Sequence, residues 1–303
     1  MSPASPDRRR RAAEAGLPIL LAVTTLAWFG AWPGPRASCL LAAAAAVGAL
    51  GCAWMACAPL RRPRPSAETW AVTAVAIAYR LPALLHPWGW VNTDGAYGAL
   101  VALHLLQGVR PAPVFTEGAS YQGTLKAHLA ALGSALTGAD DLSRMMVASS
   151  LALDLAFIAA TMALARRLGG RAAAVAAGLY LALGPKFLTV FSLNCVGQYV
   201  DVLALGGAAL ALLAAALQGR TRCASMALFS IGALLGAAFW QQPVAVSYVG
   251  AAALALAAWR EAGRARRWGW TAAGLVVGAL PVLVWNVQHD WGTRDVLGAG
   301  RRA

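Results

Sequence analysis

The stretch Trp88-Gly-Trp-Val-Asn-Thr-Asp-Gly-Ala-Tyr97, continued by His104-Leu-Leu-Gln-Gly108 and by Tyr121-Gln-Gly-Thr-Leu-Lys-Ala-His128, concentrates polar chemistry in a chain that is otherwise mostly hydrocarbon. Between His86 and Arg144 stand Asp94, Arg110, Glu117 and Lys126 and three of the four histidines. The reading of this segment decides the fold, because the apolar run Leu125 to Leu136 inside it either crosses a membrane or lies beside one. A dozen residues at ~1.5 Å each fall short of a ~30 Å hydrocarbon core, and that length suits an interfacial helix. Residues 86–144 are therefore expected to form one extracytoplasmic loop with two short helices, Asp94 to Gln107 and Thr124 to Thr137. Gly108 and Gly138 stand where their C-caps belong.

Composition agrees with a membrane setting. Of 303 residues, 59% are hydrophobic and 12% charged, where soluble domains carry ~25% charge. A net charge of +13 would suggest nucleic acid in a soluble protein. Here the arginines cluster between apolar runs, as topology signals do, so no nucleic acid is expected as a partner. Segments long enough to span are Leu17 to Trp32, Cys39 to Leu60, Thr69 to Leu85, Met145 to Ala165, Ala172 to Phe191, Val200 to Leu217, Ala224 to Trp240, Pro243 to Trp259 and Gly269 to Val287. The fold class expected is an all-α polytopic membrane protein of about nine spans. Five basic clusters, at 8–11, 61–64, 166–171, 220–222 and 260–267, hold 16 of the 25 cations and fall on one face if all nine cross. The positive-inside rule makes that face the cytoplasm, with the N-terminus on it, in the cell membrane. Residues 1–66 read as a basic segment, an uncleaved signal-anchor and an added hairpin ahead of a core at 67–303. Seven of the twelve carboxylates then share the outer face: Asp94, Glu117, Asp140, Asp141, Asp201, Asp290 and Asp295. Asp154 lies at mid-membrane. The five cysteines show no metal-ligand spacing and read as small buried hydrophobes. Tryptophans near span ends, Trp240 and Trp285 among them, suit an aromatic belt.

Five stretches carry a resemblance: Asp94 to Gly108, Tyr121 to Leu129, Phe187 to Asp201, Gly236-Ala-Ala-Phe-Trp-Gln-Gln-Pro243, and Gly278 to Gln288. Together, in this order, they resemble integral-membrane glycosyltransferases of the GT-C fold that use polyprenyl-phosphate sugars. The nearest group is the lipopolysaccharide galacturonosyltransferases with the protein O-mannosyl and aminoarabinose transferases. The resemblance covers roughly Thr69 to Val296. It implies a polyprenyl-phosphate-linked sugar donor, a lipid, polysaccharide or protein acceptor, and surrounding membrane lipids. No cofactor is assigned; a divalent metal is compatible with the chemistry, and no residue is assigned to it. This chain departs from the pattern in having Gly95 after Asp94, where such proteins usually have a second acid, and Lys126 where an acid is common. It also stops at Ala303, short of the usual extent.

The resemblance makes Asp94 the carboxylate that orients or deprotonates the acceptor hydroxyl. Its alternative is a helix cap, since Asn92, Thr93 or Asp94 each suits that position. Asp201 is a second candidate catalytic carboxylate, or an acid favoured by the helix macrodipole. Arg80, Lys126, Arg144 and Lys186 are candidate partners for the leaving phosphate, although Arg80 and Lys186 equally suit snorkelling to headgroups. Tyr97, Tyr121, His128, Gln198 and Tyr199 complete the expected substrate-binding set. Two other functions fit the sequence: a multi-span transporter or lipid flippase, for which the mid-membrane Asp154 speaks, and a catalytically inactive GT-C-like fragment or assembly subunit, suggested by Gly95.

Overall fold

The computed structural model describes residues 66–109, 113–116, 118–184, 186–195, 197–221, 224–259 and 264–293. The expected spans at Leu17 to Trp32 and Cys39 to Leu60 lie outside the described residues, as do Arg110 and Glu117. Ala- and Leu-rich runs form helices because such side chains lose little rotamer freedom there. The helices are α1 (Ala67–Leu85), α2 (Thr93–Gln107), α3 (Leu125–Thr137), α4 (Leu142–Ala182), α5 (Lys186–Leu193), α6 (Tyr199–Leu217), α7 (Ala224–Gln241), α8 (Val246–Ala258), α9 (Arg264–Gly278) and α10 (Leu280–Gln288). Among the described residues α4, α6 and α7 are long and apolar enough to cross a membrane; α9 and α10, bent by 58° at their junction, pass the same test only as a pair, the pattern of a broken span or of a re-entrant loop. These helices mark a membrane-embedded protein. α1 and the shorter α8 are not among them.

The seven expected spans that fall in the described residues overlap helices, with corrections. α4 holds 41 residues, about twice what one crossing needs. Gly170 breaks it, with φ 79° and ψ −163°, a backbone conformation open essentially to glycine alone. Gly178 then lies against Met162: a Cβ added there would meet its Sδ at 2.7 Å. In a straight helix those two residues would stand ~24 Å apart, so the two halves double back on each other. Val72 and Ala76 of α1 join Ile158, Met162, Ala174 and Ala182 in one core between them. The second half ends at Ala182 rather than Phe191, and residues 186–193 form the separate α5.

The loop helices lie where the apolar pattern puts them, and Gly108 (φ 75°) and Gly138 (φ 70°) are left-handed caps. The all-α expectation needs one correction. Between α2 and α3 the chain forms an antiparallel hairpin, β1 (Phe115–Thr116) with β2 (Ala119–Gly123), pairing Phe115 with Gly123 and Thr116 with Ala119. It docks rather than standing free, because Trp240 Nε1 of α7 donates to the Val114 carbonyl at 3.0 Å.

The closest helix pair is α7 with α9. A Cβ at Gly232 would lie 2.0 Å from the Thr271 carbonyl oxygen, and one at Gly236 2.2 Å from that of Leu275. From the other side, Gly274 and Gly278 meet the Phe229 and Ala233 carbonyls equally closely, at 2.0 and 2.1 Å. Two Gly-x-x-x-Gly pairs thus let the backbones touch, which suits association in lipid, where dispersion contacts replace hydrophobic exclusion.

Side-chain contacts gather in two layers at opposite ends of the helices. In one, Arg166 donates to Ser66 Oγ at 2.8 Å, Arg171 pairs with Glu68, Gln218 donates to the Arg167 carbonyl at 3.4 Å and Arg266 to Ser225 Oγ at 3.2 Å. In the other, the 86–144 segment meets the α5–α6 turn and the end of α7.

Candidate functional site

Gly197, in the turn before α6, is the point on which the second layer converges. Its φ is +50°, and both of its peptide groups are used across the fold. Its N–H donates to Asp94 Oδ2 at 2.9 Å, and its carbonyl accepts from Lys126 Nζ at 2.8 Å. The same ammonium lies 3.4 Å from Asp201 Oδ2, with both side chains buried. Two carboxylates and one cation expected from the sequence thus meet around one residue.

Local structure explains why Asp94 is available. The cap of α2 is Asn92, whose Oδ1 accepts from the Gly95 N–H at 3.0 Å. Asp94 therefore sits in the first helical turn, half-buried, with its carboxylate directed at Gly197 instead of closing its own helix. Gly95 is buried as well; a Cβ there would stand 3.1 Å from Val91 Cγ1 and 3.2 Å from Cys195 Cβ. Gly95 is thus a crowded position rather than an open one.

Lys126 is delivered by the start of α3. The Leu125 N–H donates to Gln241 Oε1 at 3.1 Å, and Thr124 Oγ1 donates to the Pro113 carbonyl at 3.0 Å. Gly123 has no room for a side chain, since its Cβ would lie 2.7 Å from Gln241 Nε2. His128, one turn along, has Nδ1 2.7 Å from the Thr124 carbonyl, so Nδ1 carries the hydrogen. Burial pushes this imidazole down to about 4, partly offset by that carbonyl, and it is neutral at pH 7.

Several expected residues do not join the cluster. Arg80 is buried rather than snorkelling: Nε lies 2.9 Å from Asp154 Oδ2, and the guanidinium donates to the Ala182 carbonyl at 2.6 Å and the Leu181 carbonyl at 3.2 Å. It ties α1 to both halves of α4, a structural role. Arg144 is exposed and pairs at 3.7 Å with Asp141, whose carboxylate also caps α4. Lys186 and Tyr97 are exposed, and Tyr121 is half-buried on β2. Tyr199 is 40% exposed and packs edge-on against Phe191. Trp240 and Trp285 both contact the hairpin; Trp285 meets Phe115 edge-on at 5.0 Å and stacks on His289 at 4.3 Å. A cavity of about 450 Å³ opens beside the hairpin and Trp285, and none of the expected site residues lines it.

Gln198 is buried next to Gly197, and Gln241 and Gln242, quoted in the sequence only as part of the stretch Gly236 to Pro243, are buried as well. The signal available was two adjacent carboxamides at the end of an apolar span. Among the described residues Gln198 Oε1, Gln241 Nε2 and Gln242 Oε1 have no hydrogen-bond partner, while Asp201 is paired with the Lys126 ammonium. An orphaned buried polar group costs ~1–3 kcal/mol. Among these residues no group of three His, Cys, Asp or Glu gathers as a metal site.

No family model matches the chain, and no curated protein and no solved structure matches it.

Proposed function

We propose that the chain is a GT-C-type membrane glycosyltransferase that moves a sugar from a polyprenyl-phosphate carrier to a cell-envelope lipid, polysaccharide or protein. The observation that carries this reading is the meeting of Asp94 and Lys126 at Gly197, with Asp201 paired to the same Lys126 ammonium. In the proposed reaction Asp94 takes the proton from the acceptor hydroxyl. The hydroxyl oxygen bonds to the anomeric carbon as the bond from that carbon to the carrier phosphate oxygen breaks. The phosphate leaves with the bonding pair, and Lys126 offsets its charge. Asp201 holds Lys126 in position before the donor arrives. A transporter would draw on the mid-membrane Asp154, and that carboxylate is occupied by Arg80.

This reading includes nine spans in the cell membrane, a cytoplasmic N-terminus and residues 86–144 outside. The test uses the full chain in lipid nanodiscs with a panel of undecaprenyl-phosphate sugars and an envelope extract as acceptor. Asp94→Asn keeps the contact to Gly197 and leaves the Asn92 cap intact, so the protein folds; its transfer rate is expected to fall ~100-fold or more. An Asp94→Asn protein that transfers at the parental rate removes the carboxylate from the chemistry.

A further inference from the structure

We infer that Gln198, Gln241 and Gln242, bordering the Gly197 turn beside Asp201, read the hydroxyl groups of the donor sugar. The inference rests on the glycosyltransferase reading and assigns that reading's sugar subsite.

The three carboxamides are each more than nine-tenths buried, and each leaves one polar atom unused. The orientation of Gln241 follows from its neighbour: the Leu125 N–H donates to Oε1, so the free atom is the Nε2 donor. Gln198 and Gln242 offer free carbonyl oxygens. Each is tied to the Gly197 and Lys126 neighbourhood by sequence or by contact. Gln198 follows Gly197 directly, Gln242 Nε2 would lie 3.9 Å from a Cβ at Gly197, and Gln241 abuts Gly123, three residues before Lys126.

A ligand that satisfies this set brings donors for Gln198 and Gln242 and an acceptor for Gln241. Hydroxyl groups do both, each donating one hydrogen and accepting others. A metal cation suits the set less, because the Lys126 ammonium already stands 2.8 Å from the Gly197 carbonyl and 3.4 Å from Asp201. An anionic group would face the Asp201 carboxylate. A polyol therefore fits, and it adjoins Asp94, which reacts with the acceptor, and Lys126, which faces the phosphate.

The test compares two probes on the full chain in nanodiscs: undecaprenyl phosphate alone, and undecaprenyl phosphate bearing each of several hexoses and pentoses. The quantity read is the ratio of their Kd values for the best sugar. In Gln198→Leu and in Gln242→Leu that ratio is expected to fall about ten-fold. Affinity for the bare carrier should stay within about two-fold, which shows a folded site, and the ligand-free unfolding temperature should be unchanged or higher, since an orphaned group has been removed. Variants that keep the parental ratio overturn the inference while leaving transfer by the parental protein intact. So do variants whose unfolding temperature drops, because the glutamines then serve the fold or buried water. A parental protein that transfers no sugar and binds neither probe overturns the glycosyltransferase reading itself, and this inference with it.

Discussion

Lys126 on the loop helix and Asp201 on a spanning helix form a buried ion pair, nitrogen to oxygen 3.4 Å, with side chains 1% and 0% exposed. Removing one partner strands the other charge out of reach of water. Lys126→Met is expected to lower stability by about 3–5 kcal/mol. Lys126→Met combined with Asp201→Leu should recover most of that loss, because no charge is then left uncompensated. Thermal unfolding of the parent, both single variants and the double variant checks this; additive losses would show that the pair is not coupled.

Arg144 gives the opposite expectation. Its side chain is 51% exposed, and its partner Asp141 lies three residues away on the helix it caps. Arg144→Ala should change stability by less than ~0.5 kcal/mol and leave carrier affinity as it was. A marked loss of affinity would return this residue to the site.

The α7/α9 contact leaves no space for a side chain. Gly236→Ala places a methyl group 2.2 Å from the Leu275 oxygen, which the helix backbone holds in place. A loss of about 3 kcal/mol or more is expected, at the upper end of overpacking costs. Gly250→Ala in α8, where nothing lies within 4 Å, should be neutral or stabilising by up to ~1 kcal/mol. Unfolding temperatures of the two variants make the comparison, and equal effects would contradict the zipper.

His128 makes stability depend on pH. The fold lowers its pKa from the ordinary 6.5 to about 4, so between those values the unfolded chain binds a proton that the folded chain does not. This contribution is complete above pH 6.5 and is lost as pH falls towards 4, by about 3 kcal/mol in all. His128→Gln should flatten that part of the profile. A parental stability that is constant between pH 6.5 and 4 would contradict it.

The two contact layers predict sidedness. In a cysteine-free background, Thr137→Cys should react with an impermeant maleimide from outside the cell. Leu168→Cys, beside the basic cluster and 75% exposed, should react from the cytoplasm only. Labelling of both from one side would break the charge-based topology.

Much of the architecture is local and is written along the chain. Apolar run lengths locate the helices, the interspersed arginines separate one end of the bundle from the other, and Gly108 and Gly138 end the loop helices because a left-handed residue must stand there. Asp94, Lys126 and Asp201 stand out as charges in a hydrocarbon background. What the sequence leaves open are the choices made between distant segments. Asn92 and Asp94 are equally good caps until Gly197 engages one of them. Arg80 and Lys186 look alike as interfacial cations, yet one finds Asp154 and the other stays exposed. Burying a charge is tolerable only where a partner waits, and that partner lies 74 residues away along the chain. The same holds for Gln241, whose place beneath Leu125 depends on a contact spanning 116 residues. Hydropathy and propensity act over a few turns of helix and determine which segments form and where they end; electrostatic and hydrogen-bond pairing act across the assembled bundle, and only the tertiary structure decides which polar groups meet.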